Sequence, residues 1–326
     1  MNNKEIYKKT LGFSIRKLGW DVLAIIIFVI FSTLGFIILD KTTNMGLLGL
    51  GIGAIVGGIF ISFLLRYVSY TCKAGQIAMM TEAVSKGKLP DDVIGAGKKV
   101  VKERFTTVAT YFAATGIIKG IFRQIGNAIT AVGKAIGGDS GNAVGGTISS
   151  VINTIVDYLC DCCLGWVFYR SDEKASRATL EGAAIFFKHG KTLAKNLGRI
   201  FGIGLLSFVV VGGIFFGLAW LVMQAFPDLF SSLSAEIIEK GNNINANVPE
   251  WVSNVSTLTL ICAGIFGVVM WGIIHSAFIR PFVLVGVLRN FIESGKQDKP
   301  TEESFDELDG KSQKFKELHE KLEASD

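Results

Sequence analysis

An all-α, polytopic membrane fold is what this chain predicts, with about six transmembrane helices and both termini in the cytoplasm. Three observations predict it. Half of the 326 residues are hydrophobic and only 19% are charged, against about 25% in soluble domains. Four runs free of Asp, Glu, Lys and Arg are long enough to cross a bilayer core, which takes about 20 helical residues. Basic-rich segments alternate with neutral or acidic ones between them, in the way that orients a chain in a membrane. These same features exclude a fibrous, disordered or soluble protein.

Residues 1–21 carry five basic and two acidic groups and are expected inside. Residues 22–65 then form a transmembrane hairpin, Val22–Leu39 and Thr42–Leu65, separated only by Asp40-Lys41. The first run is long, and IILDKTT offers no small-x-small cleavage site, so it reads as a retained signal-anchor. The second run holds two GxxxG pairs, Gly49–Gly53 and Gly53–Gly57. Such pairs let a neighbouring helix approach closely, within one chain or between subunits. Gly49, Gly53 and Gly57 are therefore assigned to helix packing, and a homo-oligomer is expected.

Residues 66–104 carry eight basic and four acidic groups and form a cytoplasmic helical segment that breaks at Leu89-Pro90-Asp91. Residues 170–199, with seven basic and three acidic groups, read as a cytoplasmic amphipathic helix capped by Ser171 and running to about Lys188. Residues 200–279 supply two more spans, Ile200–Pro227 and Trp251–Ile279, around an extracellular loop at 228–250 with one basic and four acidic groups. The cytoplasmic tail, 280–326, ends in KFKELHEKLEASD, a short amphipathic or frayed helix suited to docking.

Residues 105–169 begin and end on the same side, so they cross twice, re-enter or lie on the surface. Lys119, Arg123, Asn127, Thr130 and Lys134 share one helix face, and Ser149, Asn153, Asp157 and Asp161 share another. Folding the arms about Asp139 brings Arg123 near Asp157 and Lys119 near Asp161. Ionisable groups in a span mark a pathway by default. Two plainer readings stand beside it: a charge staple between two helices, and an amphipathic hairpin in the headgroup region.

Other signals are weaker. His189-Gly190-Lys191-Thr192 ends like a phosphate-binding loop, but Ile185 stands where its first Gly belongs. Cys160, Cys162 and Cys163 lack the second spaced pair of a closed zinc site and read as packing residues. His275 could act as a protonation switch, though a hydrogen-bonded His at a helix end is commoner. No HExxH, nucleophile elbow or spaced carboxylate set appears, so no enzyme, catalytic residue, metal or cofactor is expected.

From Asp157 onward, DYLCDCCLGWVFYRSDEKASRATLEGAAIFFKHGKTLAKNLGRIFGIGLLSFVVVGG and SAFIRPFVLVGVLRNFIESGK resemble the C-terminal half of choline-transporter-like membrane proteins. What matches is the order: a membrane helix, a Cys-rich end, an amphipathic helix with Phe186-Phe187 and Asn196, then a Gly-rich span. The long N-terminal extracellular region of that family is lacking. The resemblance implies solute transport or a lipid-precursor role and transfers no binding residue. The leading expectation is a cell-membrane channel or transporter for a small solute or ion, its path lined by the 105–165 hairpin. The alternative is a non-transporting scaffold or assembly subunit. Membrane lipids are expected partners, and nucleic acid is not.

Overall fold

The computed structural model describes residues 1–43, 45–137, 142–194, 197–243 and 248–324, with side chains left out at 47, 125–137, 142–155, 190–194, 197–199, 201, 229, 233, 240 and 243. The chain is all-α, and no strand occurs among the described residues. Its first half comprises α1 (Asn3–Thr43), α2 (Gly46–Val68), a π-turn (Ser69–Lys73), α3 (Ala74–Lys86), α4 (Val93–Arg104), α5 (Val108–Gly137) and α6 (Asn142–Tyr169). There follow α7 (Ala175–Ala194), α8 (Leu197–Ser207), a π-turn (Phe208–Gly212), α9 (Gly213–Gln224) and α10 (Pro227–Asn243). A 3-10 turn (Glu250–Val252), α11 (Val255–Ile274), a π-turn (His275–Ile279), α12 (Arg280–Gln297), α13 (Glu302–Asp309) and α14 (Gln313–Glu323) complete it.

This is a multi-pass membrane protein. Four helical stretches are long and apolar enough to span: Asn3–Thr43, Leu48–Lys86, Gly202–Gln224 and Val255–Gln297. A fifth is counted if α4 and Val108–Gln124, bent by 78°, are one broken span. Much of the 105–169 hairpin, expected to supply two more, lies outside the described side chains.

The chain divides into two compact units. The first holds 15–68 and 201–280, the greater part of the expected spans. Its surface is apolar, with Ile26, Ile55, Phe63, Leu205, Leu221 and Ile265 all exposed. Water would not tolerate such a surface, whereas lipid tails match it. Inside this unit α1 and α2 meet backbone to backbone. A methyl group added at Gly49 would collide with the Gly35 carbonyl oxygen, one at Gly35 with the Gly49 carbonyl, and one at Gly53 with that of Phe31. Gly57 faces the Phe31 side chain. On the other hairpin, Gly267 packs against the Gly212 carbonyl and Phe216, and Trp271 donates its indole N–H to Ser207 at 3.1 Å. Much of the 228–250 segment expected as loop is helical, as α10, which begins at Pro227, whose missing N–H costs nothing there.

The second unit holds 1–14, 69–200 and 281–326. Its centre is α3, where nine residues between Ala74 and Ala83 are buried, Met79 and Met80 among them. Gly87, at φ 71°, ends α3 in the left-handed conformation that glycine adopts without strain, three residues before the expected Pro90 break. Gln76 ties the first turns of α1 to α3 through Ser14 (3.0 Å) and the Thr10 carbonyl (3.3 Å). The tail is more ordered than expected: the short amphipathic helix expected at its end is present as α14, and α13 precedes it. Phe305, Leu308, Phe315 and Leu322 are buried against Ile118, Ile121 and Phe122 of α5, Val156 and Leu159 of α6 and Leu180 of α7. Thr301 and Ser304 form a capping box on α13, and Ser312 caps α14.

Candidate functional site: the charged hairpin

Helices α5 and α6 pack against each other, and among the described side chains their polar faces meet at one ion pair. Lys119 Nζ lies 2.8 Å from Asp157 Oδ1, both side chains about two-fifths exposed (43% and 39%). Asp161, one turn further along, is 3% exposed, and Lys73 Nζ lies 2.6 Å from it. The expected pairing of Arg123 with Asp157 and Lys119 with Asp161 is thus corrected by one helical turn. Pairing Lys119 with Asp157 centres the hairpin one residue before the assumed fold point at Asp139, and Asp161 is left to a cation from another element. Lys73 ends the π-turn Ser69–Lys73, whose wider turn changes the angular setting of the side chains after it. Arg123 is exposed. Asn127, Thr130, Lys134, Ser149 and Asn153 lie outside the described side chains.

None of the five cysteines forms a disulfide, and Cys162 and Cys163 are buried. Cys163 Sγ lies 3.6 Å from the Thr179 carbonyl and packs over Gly182, where α6 and α7 touch. The cluster is a close helix crossing, in keeping with the small size of cysteine.

Below it lies a network that the sequence did not disclose. Trp166 donates its indole N–H to Glu181 Oε2 at 2.9 Å. Arg170 places one guanidinium nitrogen on both Glu181 oxygens (3.0 and 2.9 Å) and another on Glu173 (2.8 Å). Its Nε donates to Asp172 at 3.3 Å, and that hydrogen bond holds the Asp172 carboxyl below the usual carboxylate range. Arg104 reaches the carbonyls of Glu173 (2.6 Å) and Arg170 (3.0 Å). Arg170 thus occupies Asp172 and Glu173, which Ser171 was expected to lead into a helix. The chain turns there, and α7 starts at Ala175. The signal available in sequence was an Arg followed closely by two acids, but the partner Glu181 needed the α6–α7 turn. Beside the network, α3, α4 and the end of α6 enclose a cavity of about 350 Å³ lined by Thr81, Glu82, Glu103, Arg104 and Tyr169. Charges of both signs face it.

The tail closes the far side. Gln124 Oε1 accepts from Ser312 Oγ (2.6 Å) and from the Lys314 amide (3.0 Å), so the start of α14 is fastened to α5 beside Arg123. Arg177 of α7 pairs with Glu302 at 2.6 Å and lies over the Phe305 ring. Chemically, the arrangement neutralises charge and fixes helices; its described carboxylates are engaged by cations. No family model, no curated protein and no solved structure matches this chain.

Proposed function

We propose that this protein is a non-transporting membrane scaffold: four spans anchor a helical module that faces water and serves assembly. One observation carries the reading. Among the described residues, every large apolar side chain that is exposed belongs to the span-bearing unit, apart from Ile117 and Phe282. The described parts of α5 and α6 sit in the other unit, with their apolar faces buried under α7, α13 and α14. A lipid-facing pair would expose such residues in quantity. What remains of each arm, 125–137 and 142–155, is by length too short to cross a core of about 30 Å. The charges of the hairpin then act as staples, as Lys119–Asp157 and Lys73–Asp161 do.

The positive-rich segments 1–21, 66–104 and 170–199 favour the cytoplasm for this module and for both termini. Lipids and further copies of the chain are the partners proposed. Transport along residues 105–165, with a choline-transporter-like relation, is the competing reading. Purified chain in proteoliposomes decides between them. The scaffold reading expects no ion or solute flux above protein-free vesicles and a mass in nanodiscs above that of one chain. A flux that changes in Lys119→Gln or Asp157→Asn would overturn it in favour of transport.

A further inference from the structure

The α13–α14 hairpin brings together residues that lie far apart in an acidic stretch. Asp306 and Asp309 are three residues apart on α13, and His319 comes across from α14. One ligand atom from each lies within 4.8 Å of the other two. His319 is 4% exposed, wedged against the rings of Phe305 and Phe315. Its Nδ1 stands 2.9 Å from Asp309 Oδ2. Two ligand atoms about 2.1 Å from one ion stand about 3.0 Å apart at an octahedral angle and about 3.4 Å apart at a tetrahedral one. Imidazole and carboxylate are therefore already set at nearly the separation of neighbouring ligands.

Two further features point the same way. The second carboxylate oxygen, Asp309 Oδ1, is buried with no hydrogen-bond partner among the described residues. A buried carboxylate oxygen left in this way is costly unless a cation meets it. The other imidazole nitrogen faces Glu302 Oε2 at 3.6 Å and Glu323 Oε1 at 3.8 Å, beyond hydrogen-bond reach. Four acidic groups thus surround one imidazole, and the nearby Arg177 is engaged by Glu302.

We propose that the C-terminal helix pair holds one divalent transition-metal ion of the zinc type, ligated by His319, Asp309 and Asp306. The mixed nitrogen and oxygen set selects this class over calcium or magnesium, which take oxygen alone. Exposed Asp306 swings in to complete three protein ligands, and water fills the remaining positions. The ion ties α13 to α14 directly above the Phe305–Phe315 contact, so it locks the tail onto the module. A protonated His319 held by carboxylates is the other account of this geometry, and Asp306 separates the two, because it has a part only in the metal site.

The test uses the full-length chain in detergent, stripped with EDTA and dialysed. Zinc chloride is titrated against a fluorescent chelator, and melting is followed with and without zinc. The expected result is one ion per chain and a melting temperature that rises with zinc concentration, as binding to the folded state requires. Asp306→Asn should weaken zinc at least tenfold while leaving the metal-free melt unchanged, and His319→Gln should abolish saturable binding. Cobalt in place of zinc should give d–d absorption without a thiolate charge-transfer band. Equal affinity in Asp306→Asn and the parent chain would overturn the site. So would an absence of saturable binding, or a thiolate band assigning the metal to the cysteines.

Discussion

Asp157 and Asp161 are one turn apart on α6 and differ in what surrounds them. Asp161 is 3% exposed and faces Lys73, whose own side chain is 35% exposed, while Asp157 and Lys119 are both about two-fifths exposed. A buried carboxylate that loses its charge leaves a partner without compensation, a loss of about 3–5 kcal/mol when both groups are buried. Lys73 can turn partly to water, so Asp161→Asn should cost less, about 1–3 kcal/mol. Asp157→Asn should cost about 0–1 kcal/mol, the range of surface ion pairs. Thermal melts of the two single variants under one condition check the order. An Asp157 variant that melts lower than the Asp161 variant would mean that solvent exposure does not rank these two pairs. The contrast was invisible in the sequence, where both residues carry the same charge at the same helical spacing.

The hairpin of α1 and α2 depends on particular glycines rather than on glycine content. Gly53 lies against the Phe31 carbonyl, where no side chain fits, whereas an added methyl at Gly58 meets nothing within 4 Å. Gly53→Ala should therefore lower yield and melting temperature, and Gly58→Ala should be neutral or stabilising by up to about 1 kcal/mol, since Ala is the better helix former. Parallel expression and melting of both variants check this. The spans themselves were legible because a bilayer demands about 20 uncharged residues in a row and tolerates few exceptions. The tail was not. Phe305, Leu308, Phe315 and Leu322 form a narrow apolar stripe among many charges, and only the core they enter shows that they are buried. Pairing across the hairpin was half legible: the polar faces of α5 and α6 follow from spacing, but the register depends on the turn. Lys73 as the partner of Asp161 depends on α3 lying against α6, a long-range packing choice that periodicity does not encode.

At the scale of the whole chain, two kinds of chemistry hold two kinds of unit. The span-bearing unit relies on close backbone approach in an apolar medium, whereas the other relies on an apolar core fastened by ion pairs. The tail shows this dependence most clearly. Glu302 is bound by Arg177 at 2.6 Å and Asp298 by Lys188 at 2.7 Å, so α7 holds both α13 and the segment leading to it. The hydrogen bond from Arg177 holds the Glu302 carboxyl below its ordinary value of 4.5, and that from Lys188 holds Asp298 below 3.8. A carboxyl whose pKa is depressed in the fold contributes stability above its unfolded pKa and loses it as pH falls through the folded one. Both contributions are therefore present at neutral pH and are lost as pH falls from these ordinary values through the depressed ones. In EDTA, which removes any metal contribution, the tail beyond Gln297 should resist protease at pH 7 and become open to pepsin at pH 3. The spans contain few such pairs in their apolar cores and should stay protected in the detergent micelle. Arg177→Gln should loosen the tail at pH 7 without acid, because it removes the same hydrogen bond from the other side. Peptide mapping after brief digestion reads both results. A tail cut equally at the two pH values, or spans cut as early as the tail at pH 3, would show that these ion pairs do not hold it closed.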